Sequence, residues 1–304
     1  MMHKFVIAAF YKFADLTDFI ELQPNLLEFC KSNNIFGTIL LASEGINGTV
    51  SGSRENIDSL IKFLQSHPKL FNLEHKESFS DETPFDRMKV RIKKEIVPLG
   101  VSGINPALEV GTYVSPEEWN ILINDPDVIL IDTRNQYECD IGTFKGALDP
   151  KTKRFRDFPT FVANNLDPNK NTKVAMFCTG GIRCEKASAF MLKQGFREVY
   201  HLKGGILKYL ETIPQDQSLW QGECFVFDQR IAVGDGVKVG GHEQCYACRH
   251  PVSPLDQESP KYKVGVSCPY CFENLPEKTR LRAIERQKQN ELTKLRKNSN
   301  QNAI

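Results

Sequence analysis

The stretch KVAMFCTGGIRCEKASAFMLKQG, residues 173–195, decides how the middle of this chain is read. Its opening residues are apolar enough for a buried strand, and its later half has the residue types and apolar spacing of a helix. Between them stand Cys178, Thr179, Gly180, Gly181, Ile182 and Arg183. A thiol attacks only as thiolate, and helix N-termini and neighbouring cations lower its pKa. Two glycines let backbone N–H groups turn inward around the sulfur. The helix, expected to begin near Cys184, adds the positive end of its dipole, and Arg183 adds a fixed charge. The pattern reads as a cradle for an anionic sulfur or a substrate oxyanion. Cys178 is then the nucleophile, Thr179–Ile182 the loop, and Cys184 a second thiol. The alternative is a buried structural cysteine on an ordinary strand–helix turn; the Gly-Gly and Arg behind it favour chemistry.

Working outward, VILID (128–132), KVAMF (173–177) and EVYHL (198–202) alternate with helix-like segments, which predicts an α/β domain with a largely parallel sheet. Such sheets place their chemistry at the carboxyl ends of strands, where Cys178 falls. This domain opens at SPEEW (115–119), with Ser115 as N-cap, Pro116 in the first turn and Glu118 completing a capping box. Upstream, the order is βαββαβ. Strands are expected at Phe5–Tyr11 and Gly37–Ala42, with a helix around Leu26–Ser32 between them. EGINGTVSG (44–52) carries Asn-Gly turn chemistry, Glu55–His67 reads as a helix, and FDRMKVRIKKEIV (85–97) as the last strand. That order suggests a ferredoxin-like α+β domain. PLGVSGINP (98–106) reads as a linker, GECFVFDQRIAVG (222–234) as a hairpin, and a cysteine-rich section follows at 245–271. The expected division is therefore 1–105, 112–216, a hairpin and cysteine-rich module at 217–275, and a basic helical or disordered tail at 276–304.

Composition sets the outer limits. A chain of 304 residues, 40% apolar and 25% charged, is an ordinary multidomain globular protein, and a net charge of +1 points to no anionic partner by itself. The apolar runs are too short to cross a bilayer, and no cleavage site follows Phe5–Tyr11, so a cytoplasmic location without membrane partners is expected. Nine cysteines without an export signal favour thiols and metal ligands over disulfides. No protein partner can be deduced.

Four residues separate Cys178 from Arg183, a ring shorter than that of the phosphate-binding cysteine phosphatases and better suited to one sulfur atom. VILIDTRNQYECDIGTFKGAL (128–148), FCTGGIRCEKA (177–187) and VYHLKGGILKYL (199–210) together resemble a rhodanese domain. They correspond to its Asp-x-Arg…Glu segment, its persulfide-bearing loop and its Gly-Gly helix start. TFKGA (143–147) departs from the histidine-led form common there. With GTILLASEGINGTVSG (37–52) and WQGECFVFDQRIAVG (220–234), the chain further resembles the bacterial rhodanese-like tRNA uridine hydroxylases. That resemblance implies a tRNA substrate, 5-hydroxyuridine at the wobble position, molecular oxygen as co-substrate and catalysis by Cys178. One mechanism has the Cys178 thiolate, or its persulfide, add to C6 of the uracil, with loop N–H groups and Arg183 steadying negative charge. There is no iron triad and no flavin or nicotinamide fingerprint. A sulfurtransferase carrying sulfane sulfur on Cys178 and an idle RNA- or protein-binding scaffold are the other readings.

Cys245-x₂-Cys248 and Cys268-x₂-Cys271 have the spacing of a tetrahedral Cys₄ structural zinc site; four reduced thiols or adventitious disulfides are the alternative. His242 and His250 beside them read as bystanders. The segment 277–298 holds eight Lys/Arg against three Glu, so Arg280, Arg282 and Arg286 are candidate RNA contacts, as are Lys89, Arg91 and Lys93 along one strand face. A solvated surface is the competing explanation for both sets. Cys30 reads as core, Cys139 and Cys224 carry no motif, and EGING is a turn unless something else uses it.

Overall fold

The computed structural model describes residues 4–81, 83–228 and 230–301. By packing, the chain divides into two compact units. One comprises Met1–Gln136 with Phe144–Leu219, the other Tyr137–Thr143 with Trp220–Ile304.

The first unit begins with β1 (Phe5–Phe13), α1 (Phe19–Ser32), β2 (Phe36–Ala42), β3 (Gly45–Gly52), α2 (Arg54–Gln65), β4 (His75–Ser80) and β5 (Met88–Ile92). The sheet order is β4-β1-β3-β2-β5. Its first four strands are antiparallel neighbours in the split-βαβ arrangement, and β5 joins parallel to β2. The ferredoxin-like reading therefore holds, but its closing strand is β4, not the expected 85–97. Only Met88–Ile92 of that stretch is strand, added on the opposite edge. α1 and α2 bury Leu26, Cys30, Ile57, Leu60, Ile61 and Leu64 beside the sheet's Val6, Ile39 and Val50. α1 runs through Pro24 and so starts seven residues before the expected Leu26. The β2–β3 hairpin turns at Ser43–Glu44, because Ala42 pairs with Gly45; Asn47-Gly48 lies inside β3, opposite Leu40 and Ile39.

No helix or strand spans 93–111, as a linker requires, yet the segment is not loose. Ile96, Val97, Leu99 and Ile104 are buried in one apolar cluster with Phe13 and Ala42 of the first sheet and Met176, Phe190 and Val199 beyond. The second sheet is built from β6 (Thr112–Val114), β7 (Val128–Asp132), β9 (Lys173–Phe177) and β10 (Glu198–Leu202), all parallel, in the order β6-β10-β9-β7. Between β6 and β9 lie α3 (Pro116–Ile123), the short α4 (Gln136–Cys139), β8 (Gly142–Phe144) and α5 (Phe158–Asn165). α3 is capped as expected, with the Glu118 N–H donating to Ser115 Oγ at 3.3 Å. α6 (Ile182–Lys193) follows β9, and α7 (Gly205–Thr212) follows β10.

The second unit has little regular structure. Its antiparallel pairs are β12 (Cys224–Phe225) with β13 (Ala232–Val233) and β14 (Glu243–Gln244) with β15 (Pro251–Val252); β11 (Trp220–Gly222) precedes them. α8 (Pro254–Gln257) and the long α9 (Glu277–Gln301) complete it, so the basic tail is helical as far as Gln301 and ends with residues outside the described ones. The buried apolar cluster around the knuckles consists of Val252 and three cysteines, Cys245, Cys268 and Cys271. A core that small cannot hold a module together by burial alone.

Candidate active site and cysteine cluster

Cys178 leaves the end of β9, a strand buried from Val174 onward, and is itself only 1% exposed. The chain then turns through Thr179, Gly180 and Gly181 and enters α6 at Ile182, two residues earlier than expected. Gly181 has φ 108°, a conformation other residues rarely adopt, and there its N–H donates to the Cys178 Sγ at 3.1 Å. The loop is braced from behind by the start of α7. The Ile206 and Leu207 N–H groups donate to the Cys178 and Thr179 carbonyls at 3.0 and 3.1 Å. Gly205 permits this approach, since a Cβ there would lie 2.6 Å from both carbonyl oxygens. With the carbonyls held outward, the loop N–H groups are left to face the sulfur.

The electrostatics follow. Burial alone pushes the Cys178 thiol up, but the Cys184 thiol, the Arg183 guanidinium and the N–H groups of Cys184 and Gly181 outweigh it, and its pKa falls to about 5. Cys184, fully buried beside this anion, is pushed well up, by burial first and then by Cys178. The pair therefore divides one proton: Cys178 is the thiolate and Cys184 the thiol that donates to it, with Thr133 Oγ1 3.4 Å from Cys184 Sγ. Arg183 is buried, and its Nη2 lies 3.4 Å from Thr179 Oγ1. All the residues expected in the loop are thus brought together. The Asp132–Arg134 pair, at the end of the neighbouring strand β7, is fully buried at 2.6 Å.

Several groups here escaped the sequence reading. Tyr11, from β1 of the first sheet, donates to Glu185 Oε1 at 2.7 Å. Its hydroxyl also occupies the space a side chain at position 181 would need. Glu185 is raised above the usual carboxylate range by burial and by the Cys178 charge, against the hydrogen bonds it accepts from Tyr11 and Tyr113. Lys76 of β4 donates to the Gly180 carbonyl at 3.1 Å and to the Gly204 carbonyl. Lys186, on α6, is 1% exposed and bonds Glu44 at 2.7 Å, Glu95 at 2.6 Å and the Val97 carbonyl at 3.0 Å. The glutamate of EGING is therefore more than a turn residue: it anchors the helix that carries the reactive loop. Only EGING and the Gly-Gly of 204–205 offered any prior signal.

In the second unit, the Cys245, Cys248, Cys268 and Cys271 sulfurs all lie within 4.8 Å of one another. The Cys248–Cys268, Cys268–Cys271 and Cys245–Cys271 separations are 3.6, 3.8 and 4.0 Å. Four thiolates about 2.3 Å from one zinc make a tetrahedron with edges of about 3.8 Å, so the donor set fits a metal ion. The candidate RNA residues are dispersed. Lys89 is half-buried and Arg91 exposed on the edge strand β5, while Lys93 is exposed just beyond its end. Arg280 donates to the Phe272 carbonyl at 2.7 Å, and Arg286 faces the Tyr246 and Gly265 carbonyls at 3.3 and 3.4 Å. Both tie α9 to the knuckle loops; Arg282 and Arg286 are exposed and Arg280 is half-buried.

A thiolate held by a strand–loop–helix cradle on a parallel sheet defines a rhodanese-type domain, here joined to a ferredoxin-like one. The family profile described as the rhodanese-like domain matches residues 115–212, and that of the UPF0176 acylphosphatase-like domain matches 5–96. The tRNA uridine(34) hydroxylase of Teredinibacter turnerae is 56% identical over 291 residues, 96% of this chain and 91% of that protein. The chain belongs to the tRNA uridine(34) hydroxylase family. Among solved structures, a rhodanese-like domain from Anabaena is 16% identical with a TM-score of 0.31, covering 36% of this chain and 78% of that one. An acylphosphatase from Coxiella burnetii is 16% identical with a TM-score of 0.24, covering 29% and 94%. These two likenesses are too slight to bear on function. No helix among the described residues is long and apolar enough to cross a membrane.

Proposed function

We propose that this chain hydroxylates uridine 34 of tRNA to 5-hydroxyuridine, with molecular oxygen as co-substrate and Cys178 as nucleophile, as in the activity its relative is named for. The observation that carries the assignment of Cys178 is its setting: the buried sulfur accepts from the Gly181 N–H at 3.1 Å, and Arg183 and the Cys184 thiol beside it favour its charged form. The sulfur, as thiolate or as persulfide, adds to C6 of the uracil. The electron pair of the C5–C6 double bond moves towards C5 and O4, and C5 adds to oxygen to give a hydroperoxide. A two-electron reductant such as a small thiol takes the outer oxygen to water, and the C5 proton and the Cys178 sulfur then leave to restore the double bond. Because the Sγ lies on the floor of the loop, a persulfide would carry the reacting sulfur one bond nearer the mouth. Loop N–H groups and Arg183 steady the developing negative charge. Glu185, held by Tyr11, stands beside the loop as a carboxyl able to exchange a proton there. Cys245, Cys248, Cys268 and Cys271 hold a structural zinc, whose four thiolates leave no open coordination position for chemistry.

The test is purified chain with tRNA lacking the modification, incubated under isotopically labelled dioxygen and under argon, with nucleosides resolved by mass spectrometry. Labelled 5-hydroxyuridine formed only with oxygen is expected. Thiolated nucleosides formed without oxygen would instead identify a sulfurtransferase.

A further inference from the structure

The second unit contains a feature that this chemistry does not use. A cleft of about 400 Å³ opens beside the knuckle loops, lined largely by rings. Phe225, buried at its back, packs edge-to-face against Tyr137 and Phe227, with ring centres 5.2 and 5.1 Å away. Phe227 is nevertheless 62% exposed. Tyr270 is stacked on His250 at 3.8 Å and 20°, and is still 51% exposed. A single surface aromatic needs no explanation, but two bared in one concavity and fixed from behind do.

The rim is polar and planar. Arg249 has φ 69°, a conformation that is costly for a residue with a side chain. Its Nη1 donates to Gln244 Oε1 at 3.1 Å. Carboxylates stand close by: Asp140 is 3.5 Å from His250, and Asp256 accepts from the Tyr270 hydroxyl at 3.1 Å. One guanidinium against these two acids makes a poor grip on phosphate. Flat apolar faces with an amide and a guanidinium at their edge suit an uncharged ring with a hydrogen-bonding perimeter. Unpaired RNA bases are bound in this way, stacked on aromatic side chains and read along an edge.

We propose that this cleft is a base-stacking site for an unpaired nucleotide of the RNA substrate, with Phe227 and Tyr270 as platforms and Gln244 and Arg249 at the base edge. The proposal rests on the reading of tRNA as substrate. It makes the aromatic cleft a part of RNA recognition that works through stacking, separate from any phosphate contact by Arg282 of α9.

The test uses the full, metal-replete chain, unmodified tRNA, and an anticodon stem-loop RNA carrying a fluorescent adenine analogue at single loop positions. Phe227→Ala, which leaves all four knuckle cysteines in place, should weaken tRNA binding about tenfold, the cost of one lost base stack. Because no phosphate contact is removed, that factor should be the same at every salt concentration, leaving the slope of log affinity against log salt unchanged. At one loop position the analogue should be quenched by wild type but not by Phe227→Ala. Wild type binding tRNA with Phe227→Ala binding equally well would overturn the cleft site and leave the hydroxylase reading standing. Wild type failing to bind tRNA would overturn both. Metal content and circular dichroism of Phe227→Ala matching wild type are expected; a loss of fold that accounts for the weakened binding would overturn the stacking assignment.

Discussion

Two clusters of cysteine in this chain use the same atom for opposite ends. In the reactive loop, one sulfur is surrounded by donors of three different kinds: a Gly181 N–H at 3.1 Å, the Arg183 charge and the Cys184 thiol. In the knuckles, four sulfurs face each other within 4.8 Å, with neighbouring backbone N–H groups such as that of Cys268, 3.4 Å from Cys271 Sγ, as their other donors. The first arrangement stabilises a single anion in place. The second accumulates repulsion that only a cation between the sulfurs relieves. A cysteine's fate is thus set by what its neighbours donate, and the glycines at 181 and 205 shape the loop in which N–H groups and the Arg183 charge converge on Cys178.

That contrast breaks most visibly at Cys178. Cys178→Ser should abolish 5-hydroxyuridine in tRNA from deletion cells complemented with the variant, because a serine hydroxyl stays protonated where the thiol does not. Nucleoside mass spectrometry reads this, and normal modification would remove Cys178 from the mechanism. At the other cluster, Cys245→Ser with Cys248→Ser should reduce zinc from about one per chain to near none and unfold the module, since metal affinity there is folding free energy. Elemental analysis and a thermal melt are the measurements; reduced wild-type protein free of transition metal would refute the site.

A third change leaves both clusters intact and loosens what carries one of them. Lys186→Met strands Glu44 and Glu95 without their cation and should destabilise the first unit by about 3 kcal/mol in urea titration. A smaller effect is expected from Cys184→Ala. Wild-type alkylation by iodoacetamide should fall away only as pH drops through about 5, the point at which the Cys178 thiolate is protonated. Without the Cys184 donor the midpoint should move up towards the ordinary thiol value of about 8.5. An unmoved midpoint would mean that Arg183 and the backbone suffice. The least effect belongs to Arg282→Ala, which should lower the salt slope of tRNA binding by about one phosphate contact. An unchanged slope would make that face of α9 solvated surface only.

The parts legible in the sequence are those whose physics is local. Val128–Asp132, Lys173–Phe177 and Glu198–Leu202 are buried parallel strands, and continuous apolar runs announced each of them to the residue. The Cys178 loop was legible because its donors lie within six residues of the sulfur. β4 was missed because an edge strand reading HKESFS has little to bury and so no pattern to show. Asn47-Gly48 misled because the two-residue turn fell at Ser43–Glu44, four residues earlier in the same run. Tyr11 meets Glu185 across 174 residues of chain, and Lys76 meets Gly180 across 104; no spacing encodes such contacts. Arg280 and Arg286 looked like free cations in sequence, yet backbone carbonyls occupy them.

Lys186 also limits how this molecule can be cut and rejoined. A rhodanese segment excised at 112–216 would carry an ammonium shaped for burial while both carboxylates that neutralise it, Glu44 and Glu95, stayed behind. Transplanting that segment into another host would bring the cysteine but not the tyrosine and lysine that close over it from the first sheet. The smallest portable piece bearing the reactive sulfur is therefore the whole first unit, and chimaeras of this enzyme should exchange both domains or neither.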